Sequence, residues 1–369
     1  MSNIKDIDTF FSLLCSGLWG SCANIESRVD WDRLYQLACE QSVIGLVLAG
    51  IEQLPLKKRP PQEILLQMIG EVQIIEQQNL SMNRFVAELV EKMRRADIYT
   101  LLVKGQGIAQ CYERPLWRSS GDVDFFLSLD NYNKAKEYLV PIAESVDTER
   151  GTHFGMTIDS WVVELHGHLG TGLSKRIDDV VLEAQNDCFY NGSVRSWSNG
   201  NTEVFLPGID NDIIFLFTHY LKHLYKGGLG LRQVCDWCRL LWTYRESLNH
   251  GLLKSRIRKA GLMSEWKAFA ALAVDYLGMP KEAMPLYSDK NKWKRKADRI
   301  CSFVMKVGNM GHNRDMSYYR TKPYVVRKAM SMGMRVSDLI SHVMIFPMDT
   351  LRFFPKMMFD GVRSAIKGY

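Results

Sequence analysis

The chain has 369 residues, of which 46% are hydrophobic and 24% are charged, a balance that is ordinary for a globular protein with its own core. The first residues lack a cationic stretch followed by an apolar one, and no run of about 18 apolar residues occurs. The sequence therefore predicts neither an export signal nor a membrane-spanning helix. The eight cysteines show no framework spacing, so we expect reduced thiols in a cytoplasmic protein.

Positive charge is concentrated in the last fifth of the chain. Residues 288–369 hold 17 lysines and arginines against 6 aspartates, although the net charge of the whole chain is only +6. A basic amphipathic tail is typical of proteins that contact a membrane surface or, less favoured here, nucleic acid. A solvated helical face explains the charge equally well. Peripheral contact with the inner face of the membrane is thus an alternative to a purely cytoplasmic protein.

The first 97 residues are predicted to be helical. Apolar residues recur at helical spacing over 7–18 and over 34–47. After a stretch with three prolines, a longer helix is predicted from about residue 62 to residue 95. This N-terminal helical region, 1–97, carries no motif with evident chemistry.

Residues 98–206 are predicted to form a small α+β core. The pattern changes at Ile98 to short β-branched or apolar runs separated by turn residues, which is typical of strands. The predicted strands are 98–103, 123–127, 152–158, 161–169 and, as an edge strand, 202–206. A glycine turn at 104–107 and helices around 131–146 and after 174 connect them. The fold class that follows is α+β, with a small sheet flanked by helical regions.

Helical periodicity returns after this core. Residues 207–287 are predicted to form a helical region, and 288–369 a basic amphipathic region that is expected to be partly loop as far as about residue 322. Cys235 and Cys238 form a lone CxxC within a predicted helix. A zinc site would need two more ligands at a matching spacing, so we interpret them as two part-buried thiols.

Two aspartates stand at the start of the second predicted strand. Asp122 and Asp124 lie two residues apart, so their side chains project from the same face of the strand. Neighbouring carboxylates repel each other, and each resists ionisation unless a cation lies beside them. Such oxygen ligands suit Mg²⁺, which usually takes one or two carboxylates together with substrate phosphates. A solvated strand edge explains such a pair about as often.

A third acid lies on a later predicted strand. Glu164 is flanked by apolar residues, and a buried glutamate without a partner is costly. We therefore expect Glu164 to face the same site as Asp122 and Asp124. Three carboxylates can hold the two metal ions that serve phosphoryl transfer. The sequence thus predicts that these three residues are catalytic and bind metal.

An anion-binding turn is predicted upstream of the acids. Residues 104–107 follow a strand and open a helix, so backbone N–H groups and the helix dipole favour a phosphate there. Residues 118–120 stand just before the acidic pair and can add hydrogen bonds to phosphate oxygens. The predicted nucleotide-binding residues are Lys104, Gly105, Gly107, Arg118, Ser119 and Ser120.

These residues resemble the polymerase-β-like nucleotidyltransferase superfamily, which places a glycine turn after its first strand, an acidic pair on the second and a third acid later. More narrowly, the chain resembles the bacterial uncharacterised nucleotidyltransferase family known as NTP-transferase 5. Members of that family show a KG turn, an R-x-x-x-D-I-D segment and a D/E-L-H strand. The segments that carry the resemblance are Leu102–Gly105, Tyr112, Arg118–Asp124 and Val163–His166, with His219, His223, Arg232 and Asp236 downstream.

The resemblance implies a polymerase-β-like fold, a nucleoside triphosphate as donor and Mg²⁺ or Mn²⁺ as cofactor. It implies the same three metal ligands, and it places Lys104, Gly105, Arg118 and Ser119 near the triphosphate. Lys-Gly stands where the wider superfamily has Gly-Ser, and the distance along the chain to the acidic pair is longer than usual. The implied reaction moves a nucleoside monophosphate to a hydroxyl-bearing acceptor. Family association favours an acceptor of surface-polysaccharide metabolism.

Histidines leave two further interpretations open. His166 and His168 are predicted to share a strand face with Glu164, and His153 is placed on the neighbouring strand. Such a face could bind Zn²⁺ for hydrolysis, whereas the favoured interpretation has His166 and His168 hydrogen-bonded beside the metal ligands. Alternatively, the protein is a non-catalytic nucleotide-binding protein that docks to a membrane through its basic tail.

Two residue pairs on the downstream helices have helical spacing. His219 and His223 lie four residues apart without an HExxH motif, so a capping or core role is favoured over a metal site. Arg232 and Asp236 have the same spacing, which predicts an ion pair within one helix. In the family-like interpretation, Asp236 supports the cleft that holds the substrate.

Overall fold

A mixed β-sheet lies between helices from both ends of the chain. The structure is a computed structural model that describes residues 2–25, 29–147, 153–226, 228–311 and 324–354. Most of the described residues are helical, and the strands are confined to the middle of the chain. The α+β class predicted from the sequence is confirmed.

Four helices precede the sheet. They are α1 (Ser2–Trp19), α2 (Trp31–Glu40), α3 (Ile44–Glu52) and α4 (Gln62–Arg95). The long helix α4 has the predicted bounds, because Pro61 cannot continue a helix towards the N-terminus and Ala96 leaves helical geometry. Three basic residues in its last turn stabilise the negative end of the helix dipole.

The central sheet has five strands in the order β1-β2-β5-β4-β3. The strands are β1 (Leu101–Val103), β2 (Asp122–Phe126), β3 (Ser145–Val146), β4 (His153–Ile158) and β5 (Trp161–His166). The pair β2–β5 is parallel and the other pairs are antiparallel. Strand β5 is therefore central, as the apolar flanks of Glu164 predict. The short helix α5 (Gly105–Ala109) follows β1 directly.

The rest of the middle region departs from the prediction at two points. Helix α7 (Lys175–Tyr190) lies close to the predicted position, but α6 (Leu129–Leu139) is shorter than the helix predicted over 131–146, whose last two residues form strand β3 instead. The predicted edge strand forms as β7 (Thr202–Pro207), but it pairs with a strand that the sequence analysis missed, β6 (Val194–Asn199). These two strands form a separate sheet. The alternating polar residues of β6 conceal it, because half of them face solvent.

Six helices of the described chain follow the two sheets. They are α8 (Ile209–Lys226), α9 (Leu231–Thr243), α10 (His250–Ala260), α11 (Met263–Asp275), α12 (Asn291–Val307) and α13 (Tyr324–Ile345), and residues 347–354 are also helical. Helix α12 falls where partly loop structure was expected. Its apolar residues Trp293, Ile300 and Val304 are buried at helical spacing, whereas most of its basic residues face solvent.

Helices from both ends of the chain share one hydrophobic core. The Trp19 indole of α1 donates a hydrogen bond to the carbonyl of Leu277, and the Gln41 amide donates to the carbonyl of Val304. A second core joins α4 and α6 to the sheet. The four predicted regions, 1–97, 98–206, 207–287 and 288–369, remain predictions.

The basic tail lies only partly within the described chain. Residues 312–323 and 355–369 fall outside the described residues, and with them much of the predicted membrane-docking surface. Within the described part, every helix is too short or too polar to cross a membrane.

Candidate functional site

The three predicted acids meet on one face of the sheet. Asp122 and Asp124 belong to β2, and the parallel register pairs Asp124 with Glu164 of the central strand β5. Each of the three residues offers a carboxylate oxygen within 4.8 Å of the others. Asp122 is exposed at the start of β2, Asp124 is buried, and Glu164 is half-buried. The site therefore opens to solvent at the end of the sheet where β2 begins.

The carboxylates are electrostatically unequal. The charge of Asp124 and, after it, burial raise the pKa of Asp122. Burial also acts to raise the pKa of Asp124, but Lys104 and His166 outweigh burial and lower it. Lys104 Nζ and His166 Nε2 lie 2.7 Å and 2.6 Å from the same oxygen, Oδ1 of Asp124. Asp124 thus carries its charge at neutral pH, while Asp122 lacks such a partner among the described ion pairs.

Lys104 reaches Asp124 from a strained backbone position. It joins β1 to α5 with a φ of +58°, a conformation that side chains larger than glycine rarely adopt. The next residue, Gly105, also has a positive φ, of +37°. Gly107 is buried, and a Cβ atom there would lie 2.8 Å from the Leu206 side chain. Gly107 therefore permits close packing against β7. Of the two glycines in the predicted phosphate-binding turn, only Gly105 has a positive φ.

Two histidines lie beside Glu164. The register of β4 and β5 pairs His153 with His166, and their rings stack 4.9 Å apart at an interplanar angle of 3°. Their Nε2 atoms lie 3.1 Å and 3.4 Å from Oε2 of Glu164, and the two imidazoles lower the pKa of Glu164. The structure also shows that His153, Glu164 and His166 could hold a metal ion together.

His168 does not join this cluster. Strand β5 ends at His166, so the alternation of strand faces does not continue to His168. Its Nδ1 atom lies 2.9 Å from the Gln185 side-chain oxygen of α7 instead. The zinc-site interpretation that includes His168 therefore lacks one of its three ligands.

Arg118 makes an ion pair that the sequence analysis did not predict. Its Nε and Nη2 atoms donate to both carboxylate oxygens of Asp236, at 2.8 Å and 2.7 Å, and both side chains are buried. Tyr112 donates a third hydrogen bond to Asp236. The predicted pair between Asp236 and Arg232 is wrong, because Asp236 pairs with Arg118, and Arg232 Nη1 donates to the Ser119 carbonyl instead. Asp236 raises the pKa of Arg118 despite the opposing effect of burial, so the guanidinium stays charged.

The same contacts hold the segment that precedes Asp122. Arg118 Nη1 donates to the Ser120 hydroxyl at 2.7 Å, and Arg232 Nη1 donates to the Ser119 carbonyl at 2.6 Å. The Arg118 guanidinium is therefore held by Asp236 and Ser120, so that it stabilises the conformation of residues 118–120 and is not free to bind a phosphate. Arg232 reaches this segment from the start of α9 and makes no carboxylate ion pair within the described residues.

Helix α8 adds basic groups near Lys104, of which only Lys222 was not singled out from the sequence. His219, Lys222 and His223 lie on one face of this helix. Burial and the charge of Lys104 lower the pKa of Lys222 and bring that of His223 to about 4. The Nε2 atoms of His219 and His223 lie 2.9 Å apart, which requires one ring to donate and the other to accept. The sequence signal for this basic face is the recurrence of polar residues at spacings of three and four along the helix.

Cys235 and Cys238 are both buried free thiols of α9. Burial, the first cause in each case, raises the pKa of both thiols. Neither belongs to a possible metal cluster among the described residues. The interpretation as structural thiols agrees with these positions.

The comparisons with known proteins assign the chain to the nucleotidyltransferases. A family model described as uncharacterised nucleotidyltransferase, NTP-transferase 5, matches residues 27–278, about two thirds of the chain. The protein belongs to this family. The matched range contains all the acids, histidines and basic residues described above. No curated protein and no solved structure matches the chain.

Proposed function

We propose that the protein is a metal-dependent nucleotidyltransferase that moves a nucleoside monophosphate from a nucleoside triphosphate to a hydroxyl-bearing acceptor. The observation that carries this proposal is the meeting of Asp122, Asp124 and Glu164 within 4.8 Å. Membership of the nucleotidyltransferase family supports the class of reaction.

The residues present fit a divalent cation. Asp122 has a raised pKa because the charge of Asp124 lies beside it, and a cation would remove that conflict. Carboxylate oxygens are the ligands that Mg²⁺ and Mn²⁺ accept. Asp122, Asp124 and Glu164 would hold the cation. When bound, it would offset the charge of the triphosphate and lower the pKa of the acceptor hydroxyl.

The surrounding basic groups fit the triphosphate. Lys104, Lys222 and Arg232 border the acids from three different elements, and the two helical residues have pKa values that are lowered by burial. Buried cations without a full complement of carboxylates favour an anionic ligand. Gly105, Ser119 and Ser120 line the approach to Asp122 in this proposal. Arg118 contributes indirectly by holding Ser120.

The reaction that follows is an in-line displacement. The acceptor oxygen forms a bond to the α-phosphorus, the bond from that phosphorus to its bridging oxygen breaks, and pyrophosphate leaves with the bridging oxygen. The acceptor proton passes to solvent. Glu164 has a lowered pKa and is therefore a weak base, so we assign it to metal binding rather than to proton removal. Positioning and electrostatics supply most of the rate.

The acceptor is the open half of this proposal. An acceptor in surface-polysaccharide metabolism is our working hypothesis, based on the family resemblance. The experiment that tests the proposal incubates the protein with each α-labelled nucleoside triphosphate, Mg²⁺ and a cell extract, and then identifies the labelled product.

Replacing Asp122 or Asp124 with alanine is expected to abolish labelling, by at least about a thousandfold, because the cation loses a ligand. The matched control is Asp130→Asn, which changes an exposed aspartate at the start of α6 and is expected to leave labelling intact. Labelling by Asp122→Ala equal to that of the unaltered protein would refute the proposal.

A further inference from the structure

Beside the two aspartates lies a different set of metal donors, which the β4–β5 hairpin builds. The turn between these strands consists of Asp159 and Ser160, both with positive φ, as a tight two-residue hairpin turn requires. Such a turn fixes the strand register. The register places His153 directly opposite His166, which lies on the same strand as Glu164. The three side chains therefore converge because of the hairpin itself.

The distances from Glu164 to the two imidazoles match those between ligands of one metal ion. Two ligands that each bind an ion at about 2.1 Å lie about 3.0 Å apart in octahedral and about 3.4 Å apart in tetrahedral geometry. Oε2 of Glu164 lies 3.1 Å from Nε2 of His153 and 3.4 Å from Nε2 of His166. Both values therefore agree with the distance between two neighbouring ligands of one ion.

One of the donors is left without a hydrogen bond. The Nε2 atom of His153 is shielded from solvent and makes no hydrogen bond of good geometry to the described residues, although a carboxylate lies beside it. A shielded polar atom without a partner costs free energy. An ion shared with Glu164 and His166 would satisfy it.

We propose that His153, Glu164 and His166 form a second metal position beside the Asp122–Asp124 pair, which selects a first-row transition-metal ion over Mg²⁺. An ion there would bind the Nε2 atom of His166 in place of its 2.6 Å contact with Asp124 Oδ1. Two imidazoles and one carboxylate bind such ions well, whereas Mg²⁺ prefers oxygen ligands alone. Glu164 then faces both positions, so this inference rests on the proposed function for the role of Glu164.

Calorimetric titration of the chelator-treated full chain with Mn²⁺ and, separately, with Mg²⁺ tests the inference. We expect two Mn²⁺ ions per chain and one Mg²⁺ ion. His153→Gln is expected to abolish one Mn²⁺ site, or to weaken it at least tenfold, while Mg²⁺ binding stays unchanged. His153 is half-exposed, so the substitution is compatible with folding, which circular dichroism checks.

Two histidine controls sharpen the test. His250→Gln removes an exposed histidine of α10, and His168→Gln removes the histidine that contacts Gln185. Both are expected to retain two Mn²⁺ sites. Equal Mn²⁺ binding by His153→Gln and the unaltered chain, or equal stoichiometry for Mn²⁺ and Mg²⁺, would overturn the inference.

The outcome is separable from that of the proposed function. Loss of a Mn²⁺ site in His153→Gln without any nucleotide labelling in the unaltered chain supports the second metal position and contradicts the transferase proposal. The opposite outcome is labelling that depends on Asp122 and Mn²⁺ binding that is unchanged in His153→Gln. That outcome supports the transferase proposal and contradicts the second metal position.

Discussion

Lys104 is the residue that balances the charge of the acidic site. Its ammonium lies 2.7 Å from Asp124 Oδ1, and Asp122 and Glu164 also act to raise its pKa. A cation at the carboxylates would compete with this ammonium for the same oxygen. Lys104 would then be available to a phosphate, so under the proposed function one residue would serve the metal-free and the nucleotide-bound states in turn.

Replacing Lys104 with methionine tests whether its charge offsets that of the acids. Without magnesium we expect the free energy of unfolding to fall by about 3 kcal/mol, because Asp124 loses a buried partner. Added Mg²⁺ should raise the melting temperature of the variant more than that of the unaltered protein. The control is Lys134→Met, whose 3.6 Å pair with Asp97 is exposed and should contribute less than about 1 kcal/mol. Equal effects of Mg²⁺ on both variants would contradict this account.

At the scale of residues, the sequence reveals what is local. Asp122, Asp124 and Glu164 could be placed together because strand alternation and a costly buried acid are visible in short segments. The ion pair between Arg118 and Asp236 could not be predicted, because the two residues lie 118 positions apart. For Asp236 the sequence offers a nearer partner, Arg232, at ideal helical spacing. His168 was misplaced because the alternation rule holds only as far as the strand, and β5 ends two residues earlier.

Among the elements, α1 and α3 pack with unusually little space between their backbones. A Cβ atom on Gly17 would lie 1.9 Å from the Leu46 carbonyl oxygen, and one on Gly50 would lie 2.1 Å from that of Leu13. The two glycines therefore allow the helices to touch backbone to backbone. Sequence periodicity predicted α1, but its run over 34–47 joined α2 to the start of α3, and it does not report how closely a pair of helices approaches.

Gly17→Ala is expected to destabilise the protein by about 1–3 kcal/mol or more, because backbone atoms cannot move aside as a flexible side chain can. Gly70→Ala in α4 is the matched control, since nothing lies within 4 Å of its added Cβ. Alanine there should instead stabilise the helix by about 0.5–1 kcal/mol. Urea unfolding measures both, and a Gly17→Ala variant as stable as the unaltered protein would disprove the close approach.

Helix α11 meets the C-terminal helical residues 347–354 through two carboxyl groups. Glu265 is fully buried, and neither of its oxygens has a hydrogen-bond partner of good geometry among the described residues. Burial, followed by the nearby Asp349, raises its pKa well above the usual range. Glu265 therefore keeps its proton in the folded state at pH values where the unfolded chain has lost it. The unfolded state binds fewer protons, so this pair costs stability as the pH rises above about 4.5.

Glu265→Gln should remove that cost, because a glutamine side chain has no proton to lose as the pH rises. We expect the variant to gain stability over the unaltered protein as the pH rises from 5 to 8, by at most about 1.4 kcal/mol per pH unit. Glu88→Gln, at an exposed position of α4, should show no such trend. Parallel pH profiles for Glu265→Gln and the unaltered protein would count against a protonated Glu265.

For the whole molecule, the Arg118–Asp236 ion pair connects the sheet region to the C-terminal helices. It lies beside the shared core that also contains α1 and α3, so the nucleotidyltransferase residues are embedded in a larger helical body. The sequence predicted the order helical, α+β, helical, and the structure confirms it. That helices from the two ends join in one core depends on contacts between residues more than 250 positions apart, which no local pattern encodes.

Asp236→Asn is expected to cost about 3–5 kcal/mol, because it leaves the Arg118 guanidinium buried without its charge partner. Asp179→Asn breaks the exposed pair of Asp179 with Lys175 and should cost less than about 1 kcal/mol. Denaturant unfolding compares the two. A cost for Asp236→Asn no greater than that for Asp179→Asn would show that the buried pair does not join the two parts.

The large sequence separation of Arg118 and Asp236 also bears on the order in which contacts form during folding. The hairpin that pairs His153 with His166 closes a short loop, the parallel pairing of Asp124 with Glu164 spans about forty residues, and the contact of Arg118 with Asp236 spans 118. Contacts between more distant residues form more slowly, because more chain must be brought to order before they are made. From loop-closure cost alone, we expect a refolding chain to pair its histidines first, its carboxylates next and the segment before Asp122 last. Recovery of the proposed activity would therefore report that this most distant of the three contacts has formed.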